Sequence, residues 1–252
     1  MRLVYFILVF IAANVSKAQL NFIKIPKQDV AYRLHAGNHN INSAKIEKFK
    51  ISRQVTFREY KEYLSEVKRD STVFFYQKQL PSIVGQKQLT DSYNLTNEFD
   101  DLPVIGVSFE SACNYAKWYQ EKYGKNGKGY RLPSVMEWLS MYQLNRDKLK
   151  DTTISKSLLS DWTINAYDES MYELSSNKLI DFFYDYNFSE PAVFKRKCII
   201  GHSFRYSVSD PMEMIWHPYF ANEGYAEVGF RILETTEDDK LMKYSKTYSY
   251  EK

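Results

Sequence analysis

Hydrophobic positions along the 252-residue chain recur at helical spacing in three places. Phe57, Tyr60, Leu64 and Val67 share one face of a predicted helix, and Thr56-x-x-Glu59 ahead of them forms a capping box, in which two side chains satisfy backbone amides that the first turn leaves open. Ala112, Tyr115, Ala116 and Tyr119 make a second face, with Ser108 as N-cap and Gly124 as the stop. Val135, Trp138, Leu139 and Tyr142 make a third, behind a second capping box, Ser134-x-x-Glu137. Strand-like alternation is scarcer. FKISRQV (49–55) sets Phe49, Ile51 and Arg53 on one face, VIGVS (104–108) reads as a short apolar strand, and further short strands are expected at Lys197–Ile200 and Val228–Leu233. Residues 81–103 are loop-like between two prolines, GKNGKG (124–129) is a turn, and residues 145–196 carry turn formers with little periodicity. The order neither alternates strand with helix nor spaces strands evenly. It predicts an irregular α+β fold with short strands and about three main helices.

The ends are set apart by their patterns. Arg2, the apolar run Leu3–Ala13 and the small residues of Ser16-Lys17-Ala18 are the three parts of a secretory signal in order, so residues 1–18 are expected to be a cleaved leader. The run is roughly 11 residues, well short of the ~20 a membrane-spanning helix needs, and no later stretch is apolar for as long. Residues 19–45 are expected to be an exposed lead-in, 46–233 the folded domain, and 234–252 a polar tail without an apolar face. Export places the protein in the periplasm or at the cell surface. No cysteine lies near residue 18 to take a lipid anchor.

Composition narrows the picture. Losing the leader removes Arg2 and Lys17 and no acid, which leaves basic and acidic residues balanced to within one. Nucleic acid is therefore not an expected partner, since that binding needs a clustered basic face. Tyrosine and phenylalanine, at 21 and 16 copies, predict an aromatic core with tyrosine hydroxyls reaching the surface. The two cysteines, Cys113 and Cys198, could pair in an oxidising compartment, but two do not make a disulfide scaffold, and buried unpaired thiols are the plainer reading. There is no G-x-S-x-G elbow, phosphate-binding glycine loop or H-E-x-x-H motif.

Four segments, in order, resemble the formylglycine-generating-enzyme (sulfatase-modifying-factor) family. FKISRQVTFREYKEYL is similar to the family opening F-x-I-x-x-x-E-V-T-x-x-x-Y, with Phe49, Val55, Thr56 and Tyr60 in place and Gln54 where an acid is usual. LPVIGVSFESACNYAKWYQEKYGKNGKGYRLPSVMEWLSMY is similar to P-V-x-x-V-S-W-x-D-A-x-x-Y-x-x-W…Y-R-L-P-T-E-A-E-W, through Pro103, Val104, Val107, Ser108, Ala112, Trp118, Arg131, Leu132, Pro133, Glu137 and Trp138. Gly201-His-Ser-Phe resembles the family's G-G-S strand, and Gly229-Phe-Arg231 its closing G-F-R. The resemblance implies a fold related to C-type lectins, with Thr56, Trp118, Arg131, Glu137, Trp138, Gly201 and Arg231 as framework residues.

It also implies chemistry that this chain lacks. The family's sulfatase-activating enzymes hold copper on two cysteines after the G-G-S strand, yet residues 201–231 contain none. A second branch holds iron on an H-x₃-H-x-E helix; His35 and His39 keep the spacing, but Gly37 and Asn38 disfavour a helix and no glutamate follows. His202 and His217 flank the copper region and are weak candidates for a borderline metal. The calcium-holding G-N-V-W-E-W loop aligns with residues 169–174, where only Glu173 survives. Asp161, Asp168 and Asp181 could bind an ion elsewhere, though scattered carboxylates are usually solvated surface. The expectation is a non-catalytic extracytoplasmic binding or assembly module without a cofactor, its partners envelope proteins, similar in domain type to the gliding-motility and type IX secretion proteins of Bacteroidota. The alternative is an oxygen-dependent metalloenzyme with a remodelled site built on His202, His217 or Cys198, with calcium or a transition metal as its cofactor. Carbohydrate binding is a third reading, carried by the lectin-like fold alone.

Overall fold

A computed structural model describes residues 19–32, 42–85, 97–125, 127–144, 159–166, 196–201, 203 and 216–245. The elements are β1 (Phe22–Ile25), β2 (Gln28–Tyr32), β3 (Asn42–Ile46), β4 (Phe49–Ser52), α1 (Phe57–Asp70), α2 (Val73–Gln79), α3 (Phe109–Tyr123), β5 (Lys128–Arg131), α4 (Val135–Leu144), β6 (Ser160–Ala166), β7 (Arg196–Ile200), β8 (Trp216–Phe220), β9 (Val228–Gly229) and β10 (Leu233–Thr236), followed by a 3₁₀ turn at Lys240–Ser245. The fold is α+β. One sheet runs β1-β4-β10-β5, a second β8-β7-β6-β9, and β2 with β3 forms a two-stranded pair. All pairs are antiparallel except β6 with β9. No helix among the described residues is long and apolar enough to cross a membrane.

The helices at α1, α3 and α4 form where the periodicity places them. α1 buries Phe57, Tyr60, Leu64 and Val67, and also Tyr63 and Glu59. The sequence pattern overlooks α2, which has no helical stripe, and β6. VIGVS forms no strand: Gly106 has φ +73, which turns the chain between the buried Val104 and Val107.

Both ends differ from the expectation. Residues 19–32 are not an exposed lead-in. They bury Leu20, Ile25, Val30 and Tyr32, because β1 pairs with β4 and the β2–β3 pair packs on α4. Residues 234–245 are not a loose tail either. β10 is an inner strand between β4 and β5, and the Asp239 side chain reaches the buried Arg131. The folded unit therefore extends beyond 46–233 at both ends.

Two apolar clusters form the core. The larger joins α1, α3 and the β6–β9 region through Tyr60, Tyr63, Tyr115, Tyr119, Trp162 and Phe230; the smaller sets α4 against β1, β2 and β7. Aromatic rings dominate as expected, but four tyrosine hydroxyls stay inside, on side chains no more than 1% exposed. Tyr60 donates to the Gln79 carbonyl at 2.8 Å, Tyr63 donates to Gln79 Oε1 at 2.9 Å, and Tyr119 accepts from the Leu20 amide at 3.2 Å. The end of α2 thus supplies the polar partners that let α1 bury its tyrosines. Tyr115 is the exception: its hydroxyl has no hydrogen-bond partner among the described residues, and burial pushes its pKa far up. Tyr115→Phe removes a desolvated group that gains nothing, so it is expected to be neutral or stabilising by up to about 1 kcal/mol. Tyr63→Phe should cost about 1 kcal/mol. Chemical unfolding of the two variants side by side checks the contrast, and a Tyr115→Phe loss as large as that of Tyr63→Phe would show that the hydroxyl does have a partner.

Candidate functional site

The two capping boxes belong to one repeated device. Arg53-x-x-Thr56-x-x-Glu59 opens α1, and Arg131-x-x-Ser134-x-x-Glu137 opens α4. In the first, Glu59 Oε2 accepts from the Thr56 amide and hydroxyl, both at 2.8 Å, while Arg53 grips the same carboxylate through two nitrogens at 2.8 and 2.9 Å. In the second, Glu137 Oε2 accepts from the Ser134 amide at 2.8 Å, and Ser134 Oγ accepts from the Glu137 amide at 3.2 Å. Arg131 holds that glutamate at 2.7 and 2.8 Å. In both copies the arginine also donates to the carbonyl of the residue after it. A carboxylate at a helix N-terminus is favourable in itself, and a bidentate guanidinium fixes its plane. Arg131 is 2% exposed and takes a third partner, Asp239 Oδ2 at 2.7 Å. Burial alone would raise the Asp239 pKa, but the Arg131 charge and the hydrogen bonds from Leu241, Arg131 and Thr235 outweigh it and hold the carboxyl below its usual value.

Arg231, Trp138 and Gln54 converge on one carboxylate, that of Asp161. Asp161 Oδ2 accepts from Trp138 Nε1 and Arg231 Nε, both at 2.8 Å, and Oδ1 accepts from Gln54 Nε2 at 2.9 Å. The Asp161 residue is 1% exposed, so the expectation of a solvated acid is corrected: it neutralises a buried arginine. Gln54 now has a reason. An acid at that position would set two carboxylates against each other, whereas the amide donates to Asp161 and to the Leu159 carbonyl. Trp138 and Arg231 are framework residues by resemblance, but nothing in the sequence marks Asp161 as the acid they share. Gly201 closes the group at φ +108, and a Cβ there would lie 2.7 Å from Trp138 Cζ2.

Thr56 sits at the α1 cap and bridges Pro103 across the chain. Trp118 ties α3 to α1: Nε1 donates to Glu66 Oε2 at 2.7 Å, and the Lys122 ammonium lies 4.7 Å from its ring centroid. Glu173, His202, His35, His39, Asp168 and Asp181 lie outside the described residues, as does the side chain of His217, whose backbone pairs with Ile199. Among the described residues no three of His, Cys, Asp and Glu cluster as metal ligands.

The family's copper pair can be tested on the cysteines themselves. Cys113 lies on α3 in the larger core cluster and Cys198 on β7 in the smaller one, both buried and neither in a disulfide. Burial pushes each thiol up to about 12, the reverse of what a thiolate ligand needs. They do not fit a copper site.

One open cleft, of about 320 Å³, lies where the end of α2, the start of α3 and the 222–224 turn meet. Its floor is main chain: Ser82 N donates to Gly106 O at 2.7 Å, Gly106 N to Tyr225 O at 3.1 Å, and Val84 N to Gly224 O at 3.1 Å. Lys78, Ser82, Glu110 and Asn222 line it, giving donors and acceptors of both charges in one concavity. No sequence motif marks it, because glycines at 106 and 224 create it by letting backbones touch.

The chain resembles two solved structures over most of their length. It covers 98% of CarF with 85% of its own residues, at 14% identity and a TM-score of 0.52. It covers 93% of PvdO from Pseudomonas aeruginosa with 84% of its own residues, at 15% identity and a TM-score of 0.55. At such identities the likeness is one of fold. No curated protein matches in sequence. The sulfatase-modifying factor enzyme 1-like domain matches residues 14–142, which is half of the chain and includes both arginine-clamped helix starts. The chain belongs to the sulfatase-modifying factor enzyme 1-like domain family.

Proposed function

We propose that this protein is a non-catalytic binding or assembly module that works outside the cytoplasm and engages another envelope protein through the cleft between α2, α3 and the 222–224 turn. The observation that carries this reading is the contrast between an intact framework and the fate of the thiols. The guanidinium–carboxylate hubs at Arg131 and Arg231 are complete, while both cysteines are buried in separate clusters with their thiols held protonated. The leader-like residues 1–18 support export to the periplasm or cell surface. Placement in a gliding or type IX secretion machine of the Bacteroidota kind rests on resemblance of domain type.

The test is photo-crosslinking in native envelopes from Asn222, with Asp101, which is exposed and does not line the cleft, as control. A single defined protein adduct from Asn222, absent from Asp101 and lost on Ser82→Arg, is the expected result. The remodelled metalloenzyme makes the opposite prediction: near-stoichiometric iron or copper in the purified protein, lost when His202 and His217 are replaced together. That outcome would overturn the proposal, as would adducts indistinguishable between the two positions.

A further inference from the structure

We propose that the corner between α1 and α2 rests on the anionic surface of a lipid bilayer. Val73 and Phe74, at 73% and 68% exposure, are the most exposed large hydrophobic residues among those described, and they are neighbours at the start of α2. Soluble surfaces tolerate scattered apolar side chains, but two adjacent ones at the tip of a corner form a wedge. The charges around it on α1 and α2 are Glu66, Lys68, Arg69, Asp70 and Lys78, a net excess of one cation, with Arg69 paired to Asp70 and Glu66 to Lys122 of α3. The Lys78 ammonium lies 4.6 Å from the Phe74 ring centroid, and that of Lys68 lies 5.8 Å from the Tyr76 ring. Apolar tips beneath ammonium groups on flexible stems match the layering of acyl chains beneath anionic headgroups.

The direction of the helices supports the same partner. Tyr60 stacks near Tyr115 and Glu66 pairs with Lys122, so α1 and α3 run side by side in the same direction. Gln79 meets Tyr60 and Tyr63 while Lys68 meets Tyr76, so α2 runs back along α1. The corner is therefore at the C-terminal end of the α1–α3 pair. The chain enters the domain toward that same end, where the Leu20 amide bonds Tyr119 on α3. The inference concerns the apolar tip of the corner, since Lys78 also lines the cleft, and it stands whether or not the cleft has a partner.

The full chain carrying Val73→Cys can be labelled selectively with a nitrobenzoxadiazole dye, since both native thiols are buried. Asp101→Cys is the control, because Asp101 is bonded to Arg58 at the opposite end of α1. Phosphatidylglycerol vesicles should blue-shift the dye at 73 and bring it within reach of brominated acyl chains, and phosphatidylcholine vesicles should do so much less. Neither should affect the dye at 101. Lys68→Glu should weaken the response to anionic vesicles at least about fivefold at about 0.1 M salt. Phe74→Ser should also weaken it, and both are surface changes that leave the core untouched. Equal responses at 73 and 101, no response at 73, or a shift that follows protein concentration without vesicles would each overturn the proposal.

Discussion

Asp161→Asn is expected to cost about 3–5 kcal/mol of folding stability, close to the whole margin of many domains of this size. The substitution keeps the shape and removes the only charge shown opposite Arg231. An asparagine oxygen can still accept from Trp138 and Arg231, but its amide nitrogen then faces the Gln54 amide nitrogen, donor against donor. Gln54 cannot relieve this by flipping, because its oxygen would then face the Leu159 carbonyl that its nitrogen now satisfies at 3.2 Å. A buried guanidinium is left without its counter-charge, and three donors compete for one oxygen. Urea unfolding should show the midpoint falling with little change in slope. Arg231→Gln in the Asp161→Asn background should cost less than the two single changes added together, as a coupled pair requires. A single-variant cost below about 1 kcal/mol, with additive effects, would mean that the hub is not what holds β6 to the β9–β10 turn.

Gly224→Ala should be of similar severity for a different reason. A Cβ at 224 would lie 2.0 Å from Gly106 O and 2.4 Å from Ser82 O, and both are main-chain atoms that cannot rotate away. The only relief is to separate three strands of backbone, which breaks the hydrogen bonds forming the floor of the cleft. A loss on the order of 3 kcal/mol is expected, together with faster hydrogen exchange at the Ser82, Val84 and Gly106 amides. Gly85→Ala isolates the backbone contribution. Gly85 has φ +73 and nothing within 4 Å of its Cβ position, so alanine there should cost only about 1–2 kcal/mol. If the two variants are equally stable, close approach is not what requires glycine at 224.

The parts of this structure that were legible in the sequence are those whose physics is local. A capping box with an apolar stripe behind it states both the start and the face of a helix, so α1, α3 and α4 could be placed. The arginine three residues before each cap is also local. What was not legible depends on partners far away in the chain. Asp161 looks solvated in sequence because its ligands are Gln54, Trp138 and Arg231, up to 107 positions away. β1 looks exposed because its burial comes from β4, and 234–245 looks like a tail because Asp239 finds Arg131 108 positions back. The tyrosine hydroxyls were expected outside because one glutamine, at the end of a helix with no readable stripe, is what lets them stay in. The cleft left no pattern, since contact between backbones needs glycine without saying against what.

The sheet β1-β4-β10-β5 has an implication for how the protein comes into being. Its inner strand β10 is contributed by Leu233–Thr236, and both β4 and β5 present to it an edge that nothing earlier in the chain covers in the finished sheet. A ribosome-bound chain therefore carries two open strand edges, and an arginine at 131 awaiting the aspartate at 239, until residues 233–239 have been made. Contacts of such long sequence separation form late and slowly. The β4 and β5 edges are joined only when Leu233–Thr236 arrives, so this strand is the latch that closes the sheet.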